Sequence, residues 1–185
     1  VASSENIHKV IKIVKDSSSK DNIAVVVSAL GGVTDLLLKA GNLACNADEN
    51  YKKQFKIIEE RHLNMVRELI PVNSQSSVLG RVKKMLNKLE STLEGVFLIN
   101  ELSNKTSDKI VSFGEIFSSY IISEAMIHKG LDASLKNSQE LIVTNNEFSN
   151  ASVFFEKTDN NISNYFNKNK HKIVVLPGFV ANTES

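Results

Sequence analysis

The feature that most constrains this chain is Ile23-Ala24-Val25-Val26-Val27, followed at once by Ser28-Ala29-Leu30-Gly31-Gly32-Val33-Thr34-Asp35. Apolar residues at successive positions, rather than alternating ones, mark a strand covered on both faces, as in a parallel sheet. The pattern predicts a central strand, a glycine-containing turn and a helix over residues 35–44 carrying Leu36, Leu37, Leu38 and Leu43. A second buried strand is predicted at Ile173-Val174-Val175-Leu176, closed by a Pro177-Gly178 turn. Shorter strands are expected near residues 133–135 and 141–143.

Helical periodicity fills the intervals. Ile7, Val10, Ile11 and Val14 form one stripe, with Ser3 or Ser4 available as N-cap. Tyr51, Phe55, Ile58, His62, Met65 and Leu69 form a longer stripe that Pro71 ends, and Val78, Val82, Met85, Leu89, Leu93 and Val96 form a second. Together they predict a helical hairpin over about residues 48–102. A further helix is expected over residues 113–129, closed by Gly130, and a weak one over residues 160–166. Strands alternating with helices predict a layered α/β domain with a mostly parallel sheet. In such sheets ligands bind beyond the carboxyl ends of the strands, here after Val27 and Leu176.

Composition excludes several classes. With 22 basic and 21 acidic side chains, formal net charge +1, no overall field draws the chain to nucleic acid or an anionic membrane. No uninterrupted apolar run approaches a membrane span, so a non-membrane protein is expected. The single cysteine, Cys45, rules out an internal disulfide and fits a reducing, cytoplasmic compartment. Val1 in place of methionine reads as a truncation.

Three segments carry candidate chemistry. The loop Ser28 to Asp35 offers backbone N–H groups and a helix N-terminus to a phosphate or carboxylate, with Gly31 and Gly32 permitting close approach. It lacks the lysine and spacing of a Walker loop, and spacing alone favours a tight turn with Thr34 as N-cap. Ser112-Phe113-Gly114-Glu115 reads as a capping box at a helix start, or as a carboxylate facing the cleft where it would bind a substrate ammonium. Pro177-Gly178-Phe179-Val180 follows a core strand, where Phe179 would pack on a small ligand or simply turn the chain. His62 lies on an apolar stripe and reads as a core histidine, and no histidine has metal-ligand spacing.

In this order the three segments resemble the aspartokinases of the amino-acid kinase family. The likeness covers nearly the whole chain, and Arg61-His62-Leu63 and Glu101-Leu102-Ser103 are similar to forms fused to homoserine dehydrogenase. The resemblance implies a three-layer αβα amino-acid-kinase fold with the helical hairpin inserted. It implies transfer of the ATP γ-phosphoryl group to the side-chain carboxylate of L-aspartate, with Mg²⁺, giving 4-phospho-L-aspartate, the first step of lysine, threonine and methionine biosynthesis. Ser28, Ala29, Thr34, Glu115 and Phe179 would then bind substrate, Glu115 taking the aspartate ammonium, while Gly31 and Gly32 form the phosphate loop. The family's N-terminal K-F-G-G-T-S and its later glycine-rich stretch are missing, so no catalytic residue and no metal ligand is expected within this chain. The domain is expected to be incomplete and inactive alone, without its regulatory ACT and any dehydrogenase domain, and part of a homo-oligomer when full-length. Another amino-acid kinase and a noncatalytic helical interaction module are the alternatives.

Overall fold

The computed structural model describes residues 3–184; the expected truncation point at Val1 and the end at Ser185 lie outside the described residues. Helix α1 (Ser4–Ser18), capped by Ser3, precedes strand β1 (Ile23–Val27) and helix α2 (Val33–Cys45). Two long helices follow, α3 (Tyr51–Leu69) and α4 (Gln75–Ile99), joined through Pro71 and a single 3-10 turn. Helix α5 (Asn104–His128) leads to β2 (Ala133–Leu135), β3 (Val143–Thr144), α6 (Phe155–Lys168), β4 (Ile173–Pro177) and β5 (Asn182–Thr183).

The three-stranded sheet has the order β1-β4-β2 with both pairings parallel, Val25 opposite Val175 and Leu135 opposite Val175 from the other side. Strand β4 is therefore central and all five of its residues are buried. Its side chains alternate between two cores. Ile173 and Val175 join the main core under α1 to α5, while Val174 and Leu176 pack with Leu141, Ile162, Tyr165 and Phe166 beneath α6. Helices on both faces of a parallel sheet make the layered αβα arrangement.

Strand β1 is an edge strand here, not a central one. It shares register with β4, so Ala24 and Val26 point to the α6 face, but α6 does not reach them and Val26 is 69% exposed. An apolar run reports that a face is compatible with burial, whereas the neighbouring layer decides whether it is buried. The membrane expectation also needs refinement: α5 is long and apolar enough to span by length and composition, with a window of mean hydropathy 1.3. Its apolar residues are interleaved with serines, which hides them from a search for unbroken runs, and 72% of that window is buried inside the domain.

Both amphipathic stripes of α3 and α4 face the core, with Leu86 rather than Met85 as the buried residue of the second. His62 is fully buried on α3, its Nδ1 2.7 Å from the Ile58 carbonyl oxygen and its ring 4.7 Å from that of Phe117. Helix α5 begins at Asn104, nine residues before the expected start, because Ser103 is the true cap and accepts from the Thr106 N–H at 3.2 Å. Ser112 instead donates its hydroxyl to the Lys109 carbonyl at 2.8 Å within the helix. The capping-box reading of Ser112 and Glu115 is thus replaced: Glu115 lies mid-helix. The C-terminal end is as expected, with Gly130 at φ +78 just beyond His128.

Gly114 decides how closely α5 approaches β1. A Cβ there would lie 2.8 Å from the Ala29 Cβ and 3.3 Å from Leu37 Cδ1, closer than packed atoms tolerate. By contrast a Cβ at Gly95 on α4 meets nothing within 4 Å. Alanine in a helix interior gains about 0.5–1 kcal/mol over glycine, while overpacking costs about 1–3 kcal/mol. Gly114→Ala is therefore expected to destabilise the protein despite its better helix propensity, and Gly95→Ala to stabilise it. Urea unfolding of both variants reads this; stabilisation at both positions would refute the close approach.

Burial pulls the His62 pKa down from its ordinary 6.5 to about 4. Between those values the unfolded chain binds a proton that the folded one does not, so stability is full above about pH 6.5 and falls as pH drops toward 4. The loss is expected to reach about 2 kcal/mol by pH 5, in urea titrations at pH 7.5 and 5. His62→Leu should remove that part of the slope; an unchanged slope would exclude His62 as its source.

Candidate substrate site at the strand ends

The loop after β1 is held by α5 at three points. The Ala29 N–H donates to Glu115 Oε1 at 3.3 Å, the Ser118 hydroxyl donates to the Ser28 carbonyl at 2.8 Å, and the Ala29 methyl rests against the bare Gly114 backbone. Ser118 is fully buried and also approaches the Glu115 carbonyl at 3.2 Å. The loop then turns through Leu30, whose carbonyl accepts from Val33 N–H at 2.9 Å, and enters α2.

Helix α2 starts two residues earlier than a Thr34 cap would require. Gly32 holds the N-cap position at φ +76, a conformation that disfavours any side chain, and Thr34 sits half-buried in the first turn. No side chain caps α2; the Val33 N–H is taken by the Leu30 carbonyl, which leaves those of Thr34 and Asp35 for an external acceptor. Asp35 occupies that turn, exposed to solvent. On the other side, the Gly178 N–H donates to the Val27 carbonyl at 2.8 Å, seating the β4 loop beside the β1 loop. Phe179 follows at φ +51 with its side chain 100% exposed, so the ring lines no enclosed pocket.

Of the residues singled out from sequence, Ala29 bonds Glu115 directly, Ser28 beside it is held by the same helix through Ser118, Gly31, Gly32 and Thr34 continue the same loop, and Phe179 flanks it. Two others escaped notice. Arg61 of α3 places its Nη1 3.6 Å from where a Gly32 Cβ would stand, bringing a guanidinium to the glycine turn from 29 positions along the chain. Ser118 is the second; its only signal was a polar residue three positions after Glu115 within an apolar stretch.

Electrostatically the site is unbalanced. Glu115 is only 7% exposed, and burial pushes its pKa above the ordinary glutamate value, the Ala29 N–H pulling part of the way back. Among the described residues no lysine, arginine or histidine forms an ion pair with it. The arrangement is a desolvated carboxylate beside an uncapped helix N-terminus: one acceptor of a cation, one set of donors to an anion. No cluster of three or more His, Cys, Asp or Glu able to hold a metal ion occurs among the described residues.

The sequence matches the amino acid kinase family over residues 1–185. It is 27% identical over 184 residues to a chloroplastic bifunctional aspartokinase/homoserine dehydrogenase 1 of Arabidopsis thaliana, covering 99% of this chain and 20% of the relative. It is 30% identical over 157 residues to Arabidopsis thaliana aspartokinase 1, covering 83% of this chain and 26% of that protein. Its fold superposes on E. coli aspartokinase III in complex with aspartate and ADP with a TM-score of 0.84 at 18% identity, over 99% of this chain and 39% of the other. The chain thus spans about a fifth of the length of the bifunctional relatives. Sequence match along the whole chain and a shared fold agree: the chain belongs to the amino acid kinase family.

Proposed function

We propose that the polypeptide is an aspartate kinase, transferring the γ-phosphoryl group of ATP to the side-chain carboxylate of L-aspartate, and that these residues supply the aspartate-facing part of its site. The observation that carries the reading is the buried Glu115 carboxylate without a cationic partner among the described residues, held beside the loop after β1. An α-ammonium group placed there would supply the missing charge, and a substrate with an anionic end would extend it toward the N–H groups of α2. The names of the relatives, several of them aspartokinases, favour aspartate over other amino acids.

On this reading the acceptor carboxylate needs no general base, because a carboxyl of pKa about 4 is ionised at neutral pH. Catalysis is then positioning and charge neutralisation around two anions. Glu115 fixes the ammonium end, Ser28 and Ala29 line the acceptor, Thr34 and the Gly31-Gly32 turn face the incoming phosphoryl group, and Phe179 flanks the ligand from the β4 loop. Mg²⁺ would enter with the nucleotide, whose phosphates supply most of its ligands.

In the full-length protein, Glu115→Gln is expected to raise the KM for aspartate at least tenfold while moving the KM for ATP less than twofold. Steady-state kinetics with each substrate varied in turn decide this, and equal shifts in both would sink the assignment. Because burial raises the Glu115 pKa, folding favours its neutral form, so its ionisation takes stability away as pH rises through that value. The glutamine variant, permanently neutral, should match or exceed the wild-type Tm at pH 7.5. Aspartate affinity should fall on acidification sooner than an ordinary glutamate would cause, and the variant should lose that limb of the profile.

A further inference from the structure

Two cavities lie away from the strand ends, end to end along the seam between α4 and α5, with volumes of about 730 and 720 Å³. Lys88, Lys109 and Phe113 line both, so they form one groove. Its floor is apolar, built from Met85, Val96, Phe113 and Ile116. Its walls carry Arg81, Lys84, Lys88 and Lys109 and no Asp or Glu. None of these four cations is ion-paired among the described residues. Three of them recur on one face of α4, a spacing at which like charges repel unless something anionic neutralises them. Helix α4 keeps its acids elsewhere: Glu90 and Glu94 act on Tyr51, on the side toward α3.

We propose that this groove docks an acidic amphipathic helix of a partner protein. Lining residues run from Gly80 to Ile99, about 28 Å along α4 at 1.5 Å per residue, which exceeds a small molecule and matches some five helical turns. An apolar floor between cationic walls is complementary to a helix with one apolar and one acidic face. At the groove's end Leu98 and Ile99, 70% and 67% exposed, extend the apolar surface. A second copy of this chain is the poorer occupant, because a two-fold contact through the groove would set its cations against their own equivalents. The occupant would touch Ser112, Phe113 and Ile116 on the helix that carries Glu115.

The test uses the full chain and a fluorescein-labelled 18-residue helical peptide with a leucine face and a glutamate face, followed by fluorescence anisotropy. Saturable binding is expected, weakened at least tenfold by Lys88→Glu with Lys109→Glu and at least threefold by the neutral pair Lys88→Gln with Lys109→Gln. A scrambled peptide of the same composition should bind at least tenfold more weakly. The exposed positions leave folding intact, which circular dichroism checks; should the charge-reversed pair misfold, the neutral pair decides. No binding by wild type, equal binding by the variants, or equal binding of the scrambled peptide would overturn the proposal. So would wild-type dimerisation in sedimentation that the substitutions abolish, which would make the occupant a second copy.

Discussion

Helix α5 lies so near the end of β1 that residue 114 has no room for a side chain, and much of the site follows from that contact. A Cβ at Gly114 would stand 2.8 Å from that of Ala29. With the two backbones at this distance, the residue after the glycine reaches the Ala29 N–H and the residue one turn on reaches the Ser28 carbonyl. The loop thus has its polar groups satisfied by side chains from a helix 86 and 90 positions away, which matters because an unpartnered buried peptide group costs about as much as a lost hydrogen bond.

The same contact creates an electrostatic debt. Glu115 accepts one N–H but faces no cation among the described residues, and its burial favours the neutral form. A buried carboxylate of this kind, at the carboxyl ends of parallel strands, is the arrangement expected of a group whose partner is a ligand. The opposite flank of α5 meets the cationic groove, so one helix separates a desolvated anion from an exposed strip of cations.

The parts of the fold that were legible in the sequence are those governed by local periodicity. The stripes of α3 and α4 needed only the 3.6-residue repeat, and β4 needed only a short β-branched run before Pro177-Gly178. The start of α5 was misplaced because residues 104–111 are mostly polar on the surface, so the true cap at Ser103 was less conspicuous than the Ser112-to-Glu115 pattern. Thr34 was misread as a cap because a threonine before an apolar stretch is the commoner signal, whereas Gly32 at φ +76 lets the helix begin without one. The candidate residues Ser28, Ala29 and Glu115 were found in the sequence through family resemblance; the bond between Ala29 and Glu115 was not. Arg61 and Ser118 were invisible as site residues because nothing local marks which face of their helices meets the loop.

By itself the sequence determined the order of helices and apolar strands and which segments resemble a substrate-binding loop, though not where α5 begins, since the first two depend on spacing, turn residues and side-chain type. Only the tertiary structure decided that β4 and not β1 is central, that Glu115 is buried mid-helix rather than capping one, and that its carboxylate forms no ion pair among the described residues. Those outcomes depend on which layer covers which face and how closely two backbones approach. A periodic pattern permits burial; only the packed neighbour, and here the missing side chain at Gly114, brings it about.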